Sequence, residues 1–155
     1  METAYDSTAD TLRHIARVRD LLDAMAVALI ERGRVHDASK LGPEEKPHFD
    51  RETPRLKSLT YGSDEYRESL KRLGEALRHH YAANSHHPEH YADGVAGMDL
   101  LDLVEMACDW KAASERAANA DFGKGLEVSI ERFGIEPQLA AILRNTAERL
   151  GWLNR

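Results

Sequence analysis

The sequence predicts an all-α fold, because apolar residues recur at helical spacings and strand-like alternation is absent. Several segments place apolar side chains three, four or seven residues apart, and no run clearly alternates apolar with polar residues. Serine, proline and glycine stand where the helices would begin and end. A chain of 155 residues is long enough for one hydrophobic core. We therefore predict a single compact helical domain over residues 1–155, built from about five or six helices.

The first predicted helix opens at Ser7, which matches a capping box together with Asp10 three residues later. An apolar stripe follows, and Gly33 ends the helix. The stripe comprises Leu12, Ile15, Leu22, Met25 and Leu29. After the short segment "RVHDASKL", residues 42–62 are rich in proline and charge, so we predict a loop there, the one plausible linker of the chain.

Ser63 is predicted to cap the next helix, whose apolar stripe comprises Tyr66, Leu70, Leu73 and Leu77. The histidine-rich loop "HHYAANSHHPEHY" follows at residues 79–91. A strongly apolar helix is predicted at residues 98–118. Two C-terminal helices, near 124–133 and from Pro137 to about Leu150, are expected to pack on a core formed by residues 10–118.

Charge and composition exclude several functional classes. The net charge of −6 disfavours duplex nucleic acid as a partner, because binding phosphate backbones requires a basic surface. No segment approaches the roughly 20 apolar residues of a membrane span, so we expect no membrane partner. The acidic, polar N-terminus resembles neither a secretory signal nor a transit peptide. Cys108 is the single cysteine, and we predict a cytoplasmic location.

The chain has eight histidines, and because imidazole is a common metal ligand, some of them are candidates for metal binding. His14 lies on the first helix at helical spacing from Val18 and Leu21, so we expect it to face inward. The alternative is a core histidine bonded to a backbone carbonyl. The dipeptide His36-Asp37 falls at the start of a short helix, where the aspartate could instead serve as an N-cap.

Helical register distinguishes the tandem histidines at 79 and 80. His80 continues the apolar stripe and is predicted to point inward, whereas His79 falls beside polar residues and is predicted to point outward. His86, His87 and His90 lie in the loop that Pro88 restrains. One or two of them could close over an interior site, and the alternative is that they are solvated and idle.

Glu105 and Asp109 lie one turn apart on the apolar helix at 98–118. They belong to a polar strip only about 60° wide on a helix that turns by about 100° per residue. An amphipathic helix would expose such a strip to solvent. The alternative is a mostly enclosed helix that directs carboxylates at an internal site, where each must be paired or bound to metal.

The order of these residues along the chain resembles the HD-domain superfamily of metal-dependent phosphohydrolases. "HDASKL" resembles the His-Asp-x-x-Lys form seen in part of that superfamily. The whole stretch, with "HHPEHY" and "EMACDWKAA", is similar to small uncharacterised HD-like proteins of bacteria and their phages. The resemblance covers roughly residues 10–118 and implies an HD-like helical domain.

The resemblance also implies two metal sites that share one aspartate. The first would comprise His14, His36, Asp37 and Asp109. The second would comprise His80 and one of two adjacent histidines, with Asp37 bridging, and we favour His86 over His87. Imidazole and carboxylate ligands suit one or two ions of Mn, Fe, Co, Ni or Zn.

Three further residues receive roles in this scheme. Lys40 could hold a phosphate oxygen, and Glu105 could orient a metal ligand. His87 could contact the substrate phosphate or donate a proton to the leaving group.

The predicted function is hydrolysis of a small phosphorylated metabolite, with a nucleotide as the best guess, by metal-activated water. The Gly-Tyr-Pro signature of the cyclic-dinucleotide phosphodiesterase branch is missing after "HHPEHYADG", which argues against that activity. One alternative is an HD-related diiron oxygenase. Another is a helical binding protein that keeps the metal without catalysis. The sequence leaves the natural substrate, the metal and the oligomeric state open.

Overall fold

The computed structural model describes residues 5–116 and 121–153. Within these ranges the regular elements are helices and no strand is present, which confirms the all-α prediction. The α-helices are α1 (Thr8–Val35), α2 (Lys46–Leu56), α3 (Asp64–Ala83), α4 (Leu100–Ser114), α5 (Phe122–Arg132) and α6 (Pro137–Arg149). Short 3-10 helices cover Ala38–Leu41, Pro88–His90 and Gly94–Gly97.

The chain divides into two compact units, residues 1–35 and residues 36–155. Among the described residues, α1 is the regular element of the first unit, and all later helices belong to the second. The expectation of one domain over residues 1–155 stays a prediction. No helix within the described ranges is long and apolar enough to cross a membrane.

The helix α1 carries the predicted apolar stripe but buries none of it. Ile15 is 57% exposed and Leu22 is 61% exposed. A lone helix has no second element in its own unit against which to bury a stripe, and helices in water depend mainly on such packing for stability. His14 is exposed as well, so the inward orientation predicted for it is not observed.

The predicted loop at 42–62 contains a helix, α2, which the sequence patterns missed. Pro47 lies in its first turn, where no intrahelical N–H partner is needed, and Pro54 lies near its end. The helix buries Glu52, which accepts hydrogen bonds from Ser69 Oγ at 3.0 Å and from Arg72 Nε at 3.1 Å. Polar contacts hold α2 against α3, so its sequence lacks the helical spacing of apolar residues by which the other helices were predicted.

The helix α3 begins as predicted, with Ser63 Oγ accepting a hydrogen bond from the backbone of Tyr66. It is kinked at Gly74, whose φ of 48° and ψ of −115° suit glycine alone. The buried face of α3 runs through the kink toward the end of the helix. The buried residues of this face are Ser69, Leu73, Ala76 and His80.

The histidine-rich loop is attached to α4 through the buried carboxylate of Asp102. Ser85 Oγ donates to Asp102 Oδ1 at 2.6 Å, and Tyr91 Oη donates to Asp102 Oδ2 at 2.7 Å. The Asp99 side chain caps the same helix, forming a capping box with Asp102. These bonds hold both ends of the loop at the first turn of α4.

The apolar core of the second unit lies around the C-terminal helices, which confirms both predicted segments. Its most buried side chains are Phe122, Leu126, Ile135, Ala140, Leu143 and Ala147. Trp110 of α4 stacks on Phe133, with ring centroids 5.8 Å apart, and so packs between helices. The helix predicted at 98–118 corresponds to α4. Residues 117 and 118 of the predicted segment lie outside the described ranges.

The contacts of Asp102 predict a loss of stability when its charge is removed. Asp102→Asn leaves an amide group that cannot accept from both hydroxyl donors, which we expect to cost about 1–3 kcal/mol of unfolding free energy. Chemical denaturation followed by circular dichroism measures this change. Asp93→Asn, at an exposed position two residues after this loop, is the matched control. Equal unfolding free energies for the two variants would contradict the anchoring role.

Candidate metal centre

Asp37 occupies the middle of a cluster of imidazoles and carboxylates, immediately before the 3-10 helix Ala38–Leu41. Its φ of 56° places it in the left-handed region, alone among the described non-glycine residues. Aspartate tolerates this region better than most residues, and such strain concentrates at functional sites. Asp37 stands at the N-cap position of this 3-10 helix, but its side chain makes no capping hydrogen bond. Helix capping therefore does not account for the carboxylate. Lys40 Nζ donates to Asp37 Oδ2 at 2.5 Å.

Glu105 of α4 contacts two histidines through a single oxygen. Its Oε1 lies 2.8 Å from His36 Nδ1 and 3.0 Å from His86 Nδ1. Since a carboxylate only accepts, this geometry favours protonation of both Nδ1 atoms, so that each ring in its neutral form carries the lone pair on Nε2. His36 Nε2 then lies 3.5 Å from both Asp37 Oδ2 and Asp109 Oδ1. This arrangement matches the orienting role predicted for Glu105.

His80 is held in the same way by a carboxylate that sequence reasoning did not identify. Glu45 is fully buried, and its Oε2 lies 2.9 Å from His80 Nδ1. On the other side of the ring, His80 Nε2 lies 3.2 Å from Asp37 Oδ1. Glu45 Oε1 also contacts His79 Nδ1 at 2.7 Å. The sequence offered no signal for Glu45, which stands in the charged stretch "GPEEK".

The burial of the tandem histidines follows the helical register. The side chain of His80 is 2% exposed and that of His79 is 49% exposed. The orientations predicted from the apolar stripe are therefore confirmed. Asn84, one turn further on, donates to the His80 carbonyl at 2.7 Å and to Ser39 Oγ at 2.8 Å, which closes the side of the site behind His80.

Two groups of ligand atoms meet in this unit, and Asp37 belongs to both. One group comprises His36, Asp37 and Asp109, and the other comprises Asp37, His80, His86 and His87. Within each group the atoms lie within 4.8 Å of one another, so each could hold a metal ion. A third group, of His36, His86 and Glu105, involves the contacts to Glu105 described above. We interpret those contacts as hydrogen bonds that orient the rings.

Two buried polar atoms of the cluster have no hydrogen-bond partner within the described chain: Asp37 Oδ1 and His86 Nε2. They lie 3.6 Å apart, and with the His86 tautomer favoured by Glu105 both would offer lone pairs. Burying two unsatisfied acceptors against each other is unfavourable. A cation between them would satisfy both, and the surrounding imidazole and carboxylate donors fit such an ion.

Burial and neighbouring charges set the protonation of these residues in opposite directions. A hydrogen bond with Asp109 raises the pKa of His36 to about 9, although burial opposes the shift. Burial, together with the nearby His86 and His80, lowers the pKa of His87 to about 3. Burial favours a raised pKa for Asp37, but the adjacent His80 ring and the charge of Lys40 lower its pKa overall. With its pKa near 9, His36 is protonated at neutral pH when no metal is bound, so metal binding there would release a proton.

Most predicted site residues come together in the second unit. They are Lys40, His36, Asp37, His80, His86, His87, Glu105 and Asp109. Both adjacent histidines reach the same ligand group, whereas the sequence favoured His86 alone. His14 lies on α1 in the first unit, and its role as a ligand stays a prediction.

Comparison with known proteins places the chain in a family without assigning an activity. The model of the Family of unknown function (DUF5662) matches residues 3–149. The chain belongs to this family. No curated protein and no solved structure matches it significantly. The chemistry of this DUF5662 member is therefore inferred from the cluster around Asp37.

Removing the Glu105 carboxylate is expected to weaken metal binding while leaving the ligands in place. Glu105→Ala frees the rings of His36 and His86, and loss of such an orienting partner typically costs about 10–100-fold in metal affinity. Isothermal titration with Zn²⁺ or Mn²⁺ measures the change. Glu115→Ala, on an exposed carboxylate near the end of the same helix, provides the control. An affinity unchanged by Glu105→Ala would exclude the orienting role.

The tandem histidines provide a second, internally matched comparison. We expect His80→Ala to lower the bound metal, because His80 Nε2 faces Asp37, and His79→Ala to leave it nearly unchanged. Metal content is measured by mass spectrometry on protein prepared without a histidine tag. The opposite order of metal loss would show that the second ligand group is assigned incorrectly.

Proposed function

We propose that this DUF5662 member is a metal-dependent phosphohydrolase that acts on a small phosphorylated metabolite. The observation that carries the proposal is the sharing of Asp37 by two ligand groups, with its Oδ1 and His86 Nε2 buried without a hydrogen-bond partner. A carboxylate between two clusters of imidazole and carboxylate donors suits a pair of adjacent cations. The motif order that resembles the HD-domain superfamily supports the same proposal.

The donor set defines which ions would bind. Histidine and aspartate together suit Mn, Fe, Co, Ni or Zn, and we propose one or two such ions. His36, Asp37 and Asp109 would hold one, and His80, His86 and His87 with Asp37 would hold the other. Bound cations would lower the pKa of a coordinated water and offset charge on a phosphoryl group.

Residues beside the ligands would bind and position the substrate. The Lys40 ammonium lies against Asp37, and its side chain is 30% exposed, so it can reach a phosphate oxygen at the edge of the site. Its amine also lies 5.1 Å above the Phe49 ring, which restricts where it can move. Glu105 and Glu45 would hold the imidazoles in the tautomer that ligation needs.

The shared carboxylate also favours a second candidate, an HD-related diiron oxygenase. Two ligand groups of histidine and carboxylate joined by Asp37 suit two iron ions as well as they suit a hydrolytic pair. Oxygen uptake with iron, without phosphate release, would identify that activity. A third reading, a binding protein that keeps the metal without catalysis, would show bound metal and neither reaction.

Location and partners form part of the phosphohydrolase proposal. We propose a cytoplasmic location, in keeping with the single cysteine and with the intracellular supply of phosphorylated metabolites. The net charge of −6 supports a small substrate rather than a nucleic-acid duplex.

The shared position of Asp37 makes it the most informative residue to replace. Metal-loaded wild-type protein is expected to release phosphate from at least one member of a phosphomonoester panel. Asp37→Asn should reduce the rate to that of metal-free protein, because both ligand groups lose their common carboxylate. Phosphate release is followed with each of Mn, Fe, Co, Ni and Zn.

Asp50→Asn is the matched control, since Asp50 is an exposed carboxylate paired with Lys46. It should retain wild-type rates. A metal-loaded protein that releases no phosphate, or an Asp37→Asn variant with full activity, would overturn the proposal.

A further inference from the structure

A cavity of about 530 Å³ lies between α3 and α5 in the second unit, apart from the metal-ligand groups. Its size falls within the roughly 300–1,000 Å³ of small-molecule sites in proteins. The lining residues are Gly62, Tyr66, Arg67, Leu70, Val128, Glu131 and Arg132.

Two lining residues of this α3–α5 cavity, Gly62 and Val128, make a contact that only glycine permits. Gly62 has a φ of 78°, and a Cβ at this position would lie 2.9 Å from Val128 Cγ1. The chain before α3 therefore touches α5 directly. Tyr61 adds a bond across the same junction, with its hydroxyl 3.2 Å from Ser129 Oγ. The cavity wall is thus fixed by backbone approach as well as by side chains.

The lining of the cavity connects to the elements that carry the metal ligands. Arg132 Nη2 donates to Glu89 Oε1 at 2.8 Å, and Glu89 lies in the loop two residues after His87. Tyr66 packs edge-on against Tyr61, with centroids 5.3 Å apart. Burial raises the pKa of the Tyr66 phenol. The Arg132–Glu89 contact therefore joins the cavity wall to the loop that carries His86 and His87.

The chemistry of the lining suits a flat group with polar edges. Leu70 and Val128 supply apolar surface, and the Tyr66 ring supplies a face for stacking. The guanidinium of Arg132 donates hydrogen bonds in a fixed fork, while the Glu131 carboxylate accepts them. A second phosphate group would pair with the arginines of the lining, Arg67 and Arg132, but would leave the apolar walls without a partner. A planar nitrogen heterocycle uses both.

We propose that the α3–α5 cavity binds the base of a nucleoside, the group that remains after the phosphate is removed. This inference rests on the phosphohydrolase function proposed for the neighbouring cluster, and it names the substrate class as a nucleoside monophosphate. Val128 and Leu70 contact the faces of the base, and Glu131 and Arg132 contact its edge.

Binding of nucleosides without phosphate tests the cavity separately from catalysis. Adenosine, guanosine, cytidine and uridine are titrated into the metal-loaded protein by calorimetry, with inorganic phosphate as a further ligand. We expect at least one nucleoside to bind. Val128→Phe fills the cavity and should weaken that binding at least about tenfold, a change of roughly 1.4 kcal/mol.

Val104→Phe is the matched control, because Val104 is comparably exposed on α4 and does not line the cavity. This control variant should change the nucleoside affinity by less than about twofold, which is a much smaller free-energy change than that expected for Val128→Phe. Glu131→Gln provides a second variant at an exposed position, where folding should be unaffected. It replaces a pure acceptor with an amide and should change the order of affinities among the four nucleosides. Metal content should stay unchanged in all three variants.

The outcomes distinguish failure of the cavity from failure of the hydrolase. Nucleoside binding that Val128→Phe abolishes supports the cavity even when no phosphate is released, in which case the phosphohydrolase proposal fails alone. No nucleoside binding, or equal binding by wild type and both cavity variants, overturns the inference even for an active hydrolase. Binding of inorganic phosphate that Val128→Phe weakens, without nucleoside binding, also overturns it.

Discussion

The mostly buried carboxylate of Asp37 is the constraint to which the rest of the second unit responds. A carboxylate removed from water must be paired, protonated or bound to metal, because its desolvation is unfavourable. Lys40 satisfies Oδ2, and Oδ1 faces His80 and His86 without a hydrogen bond. The left-handed backbone of Asp37 adds to the cost of this position. A residue with a strained backbone and one buried carboxylate oxygen without a hydrogen bond is easier to explain as a ligand than as a structural carboxylate.

The hydrogen bonds behind the ligands explain why the imidazoles converge on Asp37. Glu105 contacts the Nδ1 atoms of His36 and His86, and Glu45 contacts that of His80. Each carboxylate fixes one side of a ring, so that Nε2 turns toward the middle of the cluster. Glu45 is buried without being apolar, which requires that its partners be in place when α2 and α3 pack together. The site and the packing of these helices are thus parts of one polar network.

Helical period was sufficient to predict the residues that regular helices present. His80 continues a stripe of leucines, and Glu105 and Asp109 lie one turn apart, so spacing alone indicated their common faces. Glu45 and α2 escaped prediction because polar contacts position them, and such contacts leave no apolar period. The adjacent His86 and His87 could not be separated from sequence. Alternation of neighbouring side chains holds for extended strands, whereas this segment turns, with the His87 N–H bonded to the Asn84 carbonyl at 3.3 Å.

The metal centre and the HD-domain resemblance are separable hypotheses, because they depend on different residues. The resemblance requires His14 as a ligand, and His14 belongs to the first unit, on a helix with no buried residue. The two ligand groups around Asp37 already provide three and four donors from residues 36–155 alone. Three protein ligands are enough for a catalytic metal that keeps an open position for water or substrate. The second unit therefore has the donors to bind metal with or without His14, and the role of that histidine decides only how far the chemistry of the HD superfamily extends to this family.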